Sequence, residues 1–128
     1  MKLRLRDDTL RLRLQQQEVE QLGNGDSVEA HTPLQNAGLT YRLTPTNASS
    51  ISATLEQNAL AIGVPQAVAR AWANSDQVAI KADIESKDGA TLSVLIEKDF
   101  QCLAPDANRH AADDADAFVH PGKPQNRC

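Results

Sequence analysis

The chain has 128 residues, a net charge of −4 and 41% apolar residues, enough for one domain with a single modest core. Only 3% of residues are aromatic, too few to build a platform on which single-stranded bases stack. The acidic balance excludes a general polyanion binder, so any contact with nucleic acid has to be local.

The charge is unevenly spread. Residues 1–14 hold five basic and two acidic side chains, whereas residues 15–99 hold five basic and eleven acidic ones. The charged start has no apolar signal-like segment and no apolar run approaches a membrane span, so a cytoplasmic protein with no membrane partner is expected. Cys102 and Cys128 form neither a disulfide framework nor a zinc-ligand spacing.

From Lys2 to Leu14 the residues alternate around Asp7-Asp8. A two-residue turn there pairs Leu5 with Leu10, Leu3 with Leu12, Arg4 with Arg11 and Lys2 with Arg13, placing the leucines on one face and the cations on the other. Gln15 to Leu22 is rich in helix formers, with Glu18 near its start, and Gly23-Asn24-Gly25-Asp26 is expected to end that helix with left-handed conformations. Ser27 to His31 then starts a strand, 33–38 is a loop, and Leu39 to Leu43 alternates again.

After a junction at Pro45–Ser50 the same order returns. Ile51–Glu56 and Ala59–Val64 flank a Gln57-Asn58 turn, Pro65 suits the first helical position, Gln66–Ala73 is helical, and Val78–Ile84 and Leu92–Ile96 are strands joined at Lys87-Asp88-Gly89. A shift of fifty residues aligns Leu10, Leu12, Leu14, Leu22 and Val28 with Leu60, Ile62, Val64, Trp72 and Val78. The spacing predicts two ββαββ repeats, about 2–46 and 51–98, sharing a core that buries Leu10, Leu12, Leu14, Leu22, Leu60, Ile62, Val64 and Trp72. Past Phe100 the periodicity ends, so a domain over 1–100 and a largely disordered tail over 101–128 are expected.

The stretches Asn58-Ala59-Leu60-Ala61-Ile62-Gly63-Val64-Pro65 and Ser75-Asp76-Gln77-Val78, and less closely Asp8–Leu14 and Gly25-Asp26-Ser27-Val28, resemble the swapped-hairpin unit of AbrB and MazE transition-state regulators and antitoxins. The resemblance covers about residues 2–98. It implies a mainly β fold with two short helices, in which a pseudo-two-fold ββαββ duplication forms one small AbrB-like barrel from a single chain. The chain also resembles a group of small uncharacterised bacterial proteins of this length.

The sharpest chemical feature is the basic hairpin face of Lys2, Arg4, Arg6, Arg11 and Arg13, because like charges opposite one another across a hairpin repel unless an anion relieves them. The resemblance implies double-stranded DNA as the partner, with Arg13 at a DNA-contacting position that Gly63 occupies in the second copy. The alternative is an antitoxin-like module that binds a protein partner through its acidic body or its tail. Trp72 is expected to anchor the core. Cys102, His110, Asp113, Asp114, Asp116, His120 and Cys128 are metal-ligand types without tetrahedral spacing, so neither a metal nor another cofactor is expected. His31 is placed in a loop with no nucleophile beside it, and the chain lacks phosphate-loop, nucleophile-elbow and dinucleotide motifs, so a non-catalytic protein is expected.

Overall fold

The computed structural model describes residues 1–100. The expected tail and the group from Cys102 to Cys128 lie outside the described residues. Eight strands and two helices follow in the order β1 (Lys2–Arg6), β2 (Thr9–Leu14), α1 (Gln16–Gly23), β3 (Val28–Pro33), β4 (Gly38–Thr46), β5 (Ser52–Glu56), β6 (Ala59–Pro65), α2 (Gln66–Ala73), β7 (Ala79–Glu85) and β8 (Thr91–Lys98). The fold is mainly β.

The strands form two four-stranded sheets, β1-β2-β8-β7 and β3-β4-β6-β5. Among the described residues no strand pairing joins the two, so the single closed barrel expected from the sequence gives way to two open sheets. In each sheet the central pair is parallel and the outer pairs are antiparallel. The central pairs join strands of different halves, β2 with β8 and β6 with β4, so each sheet takes one hairpin from each half. The first hairpin pairs in the expected register, Leu3 with Leu12, Arg4 with Arg11 and Leu5 with Leu10. The second pairs Ala53 with Ile62 and Leu55 with Leu60, the same register fifty residues on. Gln57 (φ 50°) and Asn58 (φ 65°) are both left-handed, as a tight two-residue hairpin turn requires.

The inner faces align row for row. Leu3, Leu12, Ile96 and Ile80 cross the first sheet, and Ala53, Ile62, Leu43 and Val28 cross the second. These rows close on Leu22, Ala69 and Trp72 from the two helices in one core. Leu60, expected to be buried, is only partly so, although Leu10, at the same place beside the first turn, is 2% exposed. Val78, aligned with Val28 in the sequence, is 50% exposed, whereas Ile80 is 5% exposed and pairs with Ile96 as Val28 pairs with Leu43. The connection after α2 is longer than the one after α1, so the shift grows from fifty to fifty-two residues at this point.

Several boundaries also move. Helix α1 is capped at Gln15, whose backbone N–H donates to Glu18 Oε1 at 2.8 Å, the return half of a capping box that gives the cap residue's own N–H a partner. The N-terminal ammonium of Met1 reaches the other oxygen of Glu18 at 2.6 Å. Of the residues expected to end α1 in left-handed conformations, Gly25 does so (φ +94°), but Asn24 stays right-handed. Pro65 caps α2 from an extended conformation at the end of β6 instead of opening the helix. Pro33 pairs with Gly38, and Pro45 and Thr46 with Val64 and Pro65, so these loop and junction residues extend β3 and β4.

Candidate anion-binding face

Strand alternation puts Lys2, Arg4, Arg6, Arg11 and Arg13 on the outer face of the first sheet, and the parallel pairing with β8 extends that face across two more strands. Three rows cross it. One runs Lys2, Arg13, Glu97, Ala79; the next Arg4, Arg11, Leu95, Lys81; the third Arg6, Thr9, Ser93, Asp83. The structure thus brings all five expected cations together and adds Lys81, Ser93, Leu95, Glu97 and Asp99. Lys81, Ser93 and Leu95 lie on strands expected from the sequence, whereas Glu97 lies beyond the expected end of the last strand at Ile96 and Asp99 just past β8. The missing information was that β8 lies beside β2.

The face is internally compensated at one end. Arg11 Nε lies 2.8 Å from Glu97 Oε1, Arg13 reaches Asp99 at 3.2 Å, and Lys2 reaches Asp99 at 3.3 Å. The Arg11–Glu97 contact is Coulombic, since Glu97 Oε1 is buried without an aligned hydrogen bond and both side chains are about one-fifth exposed. At the other end the face opens into a groove of about 600 Å³ lined by Arg4, Arg6, Arg11, Lys81 and Leu95, with the hydroxyls of Thr9 and Ser93 toward the turn. Ser93 donates to Asp83 at 3.0 Å and Thr9 to the Arg6 carbonyl at 2.6 Å. The turn residues Asp7 and Asp8 form the groove's acidic rim.

The matching face of the second sheet has none of this charge. Its rows run Thr54, Ala61, Arg42, Glu29 and Glu56, Ala59, Thr40, His31, and Arg42 pairs with Glu29 at 2.6 Å. Gly63 stands where the first hairpin has Arg13. A Cβ there would lie 2.7 Å from Ser52 Oγ and 3.0 Å from Thr46 Cγ2, so any larger side chain requires Ser52 and Thr46 to shift. His31 lies in β3, not in a loop, and its Nδ1 is 3.1 Å from the hydroxyl of Thr40. This contact is exposed and bridges two paired strands.

The one resolved pKa shift lies away from this face. Ser86 Oγ and the Ala90 N–H both donate to the Asp88 carboxylate in the β7–β8 turn and hold it below the ordinary carboxylate value. Among the described residues no cluster of three metal-ligating side chains occurs, and no helix is long and apolar enough to cross a membrane.

The fold and this face define a mainly β domain in which strands exchanged between the two halves build one charged sheet and one nearly neutral sheet. Residues 1–122 match the model of a family of unknown function, DUF7009, and the chain belongs to that family. Comparison with curated proteins and with solved structures finds no match.

Proposed function

We propose that the chain is a non-catalytic binding module made of two fused swapped-hairpin units of the AbrB type, working in the cytoplasm. The exchanged hairpins support the two-unit reading, because β1–β2 completes a sheet begun by β7–β8 while β5–β6 completes the sheet of β3–β4. A unit of about fifty residues cannot bury its apolar face alone, and exchange lets two of them share a core.

The partner this face suits best is an acidic segment of another protein, docked across Arg4, Arg11 and Lys81 with Leu95 as an apolar floor. The observation that carries this choice is the mixture of charge. Six cations share the outer face with Asp83, Glu85, Glu97 and Asp99, and Asp7 and Asp8 stand at the groove rim. A DNA duplex presents one negative charge per about 1.7 Å of axis and would meet those carboxylates as well as the cations. A short segment with two or three acidic residues can meet the cation row and avoid the carboxylates. One observation favours the DNA reading that the resemblance implies. The swapped-hairpin topology places the basic hairpin at a sheet edge, where β-ribbon readers of DNA carry their contacts.

Fluorescence anisotropy with a labelled acidic peptide containing leucine and with a labelled duplex, each at several salt concentrations, tests the choice. The peptide is expected to bind, and Arg4→Gln with Lys81→Gln to weaken it at least tenfold. Tighter binding of the duplex, with a steep loss of affinity in salt, would replace the protein partner with DNA. Failure of both probes would remove the binding role of this face.

A further inference from the structure

The two sheets have four edge strands, and three of them are defended against pairing with another chain. Strand β1 carries Lys2, Arg4 and Arg6, β7 carries Lys81, Asp83 and Glu85, and β3 carries Glu29 and ends in Pro33. Charges and proline on an edge are the usual means by which β-proteins avoid edge-to-edge association. Strand β5, Ser52-Ala53-Thr54-Leu55-Glu56, has only the terminal Glu56, and Leu55 is the most exposed large apolar side chain among the described residues at 69%. Its one strand neighbour is β6. The contrast with β1 is informative because the two strands hold the same place in their hairpins.

The backbone of β5 also suits self-pairing. Gln57 and Asn58 form a two-residue left-handed turn, so Glu56 and Ala59 close the hairpin as a hydrogen-bonded pair. Alternation then turns the N–H and C=O of Thr54 toward β6 and those of Ala53 and Leu55 outward. An antiparallel pairing centred on Thr54 sets Ala53 against Leu55 of the second copy and Leu55 against its Ala53, which makes about four new backbone hydrogen bonds. In that register Thr54 faces Thr54, Ser52 faces Glu56, and no like charges oppose one another. Leu55 gains cover from the inner-face side chains of the second copy.

We propose that β5 is a homotypic interaction edge, through which two copies of this chain join their second sheets into one continuous eight-stranded sheet about a two-fold axis at Thr54. The site is separate from the basic face, which stays open on both copies. An edge of five residues supports a weak, concentration-dependent dimer.

Sedimentation velocity of the full chain, from micromolar to millimolar protein, tests this. The wild-type chain is expected to shift from monomer to dimer as concentration rises. Thr54→Lys and Thr54→Glu each place like charges opposite one another at the axis and are expected to stay monomeric with unchanged circular dichroism. An equimolar mixture of the two variants is expected to regain the dimer, which happens only if residue 54 faces residue 54. In the wild-type chain, exchange of the Ala53 and Leu55 amides is expected to slow as concentration rises, while that of β1 amides does not. A wild-type chain that stays monomeric to millimolar concentration overturns the proposal. So does a dimer that persists in both single variants, or a mixture that fails to restore it.

Discussion

Gly23 and Ala73 end the two helices and meet each other, so closely that a Cβ on Gly23 would lie 2.5 Å from the Cβ of Ala73. They stand fifty residues apart and hold the same place in their helices. The two helices leave room for one methyl group there, and the chain supplies it from one side only.

Gly23→Ala is therefore expected to destabilise the fold although alanine is the better helix former. Two methyl groups cannot fit at this contact without a shift of the helices, and overpacking of this kind costs about 1–3 kcal/mol. Urea unfolding of Gly23→Ala, of Ala73→Gly and of the double variant checks it. The double variant moves the single methyl to the other helix and is expected to recover most of the loss. A double variant less stable than Gly23→Ala would mean that the methyls do not compete.

Much of this fold was legible in the sequence. Alternation around Asp7-Asp8 and Gln57-Asn58 set both hairpin registers, because a one-residue slip would turn every leucine of β2 to solvent. The alignment at a constant shift failed at Val78, since two extra residues between α2 and Ile80 cost nothing in a surface connection yet restore Ile80 to the core. The cations were legible as a face, but their carboxylate partners were not. Glu97 and Asp99 follow Arg13 by more than eighty residues, and local periodicity says nothing about which strand completes a sheet.

Asp99 holds both Lys2 and Arg13, so its removal tests whether the basic face depends on its own carboxylates. Asp99→Asn is expected to lower stability by about 0.5–1 kcal/mol, a small loss because Lys2 is largely exposed and water screens its share. The same change adds positive charge to the face and is expected to strengthen binding of the acidic peptide. Thermal melts with the peptide titration check both signs. Tighter peptide binding by wild type than by Asp99→Asn would place the peptide elsewhere.

Asp88 gives the fold a pH-dependent turn. Its carboxylate is held below the ordinary carboxylate value, mainly by Ser86 and next by the Ala90 N–H, so its ionised form favours the folded turn. A lowered folded pKa means that this contribution is present above the unfolded value and fades as pH falls through the folded one. Ser86→Ala removes the largest cause and is expected to raise the Asp88 pKa toward the ordinary carboxylate value. An NMR titration of the Asp88 carboxyl in both proteins reads the shift. An unchanged pKa in the variant would assign the effect to the backbone of the turn.

Trp72 fills the place that Leu22 fills on α1, and both are buried, at 0% and 1% exposure. The same position thus holds two side chains of very different volume, and the core is asymmetric around its helices. The indole is held on one side by Lys98, whose Nζ sits 5.5 Å from the ring centroid and donates to the Ser75 carbonyl at 2.7 Å. Its own N–H is buried without a partner, and leaving such a donor unsatisfied costs about 1–3 kcal/mol. Two opposing terms follow for substitution. Trp72→Ala forfeits the whole packing contribution and is expected to cost about 3–5 kcal/mol. Trp72→Phe keeps most of the ring volume and removes the unsatisfied donor, so its loss is expected to be less than half that of the alanine variant. Leu22→Ala, at the matching position, is expected to cost about 2–5 kcal/mol. Urea denaturation followed by far-ultraviolet circular dichroism compares the three, since the substitutions at Trp72 remove the only tryptophan fluorophore. A phenylalanine variant as unstable as the alanine one would show that the indole N–H contributes to the fold through a partner such as a buried water.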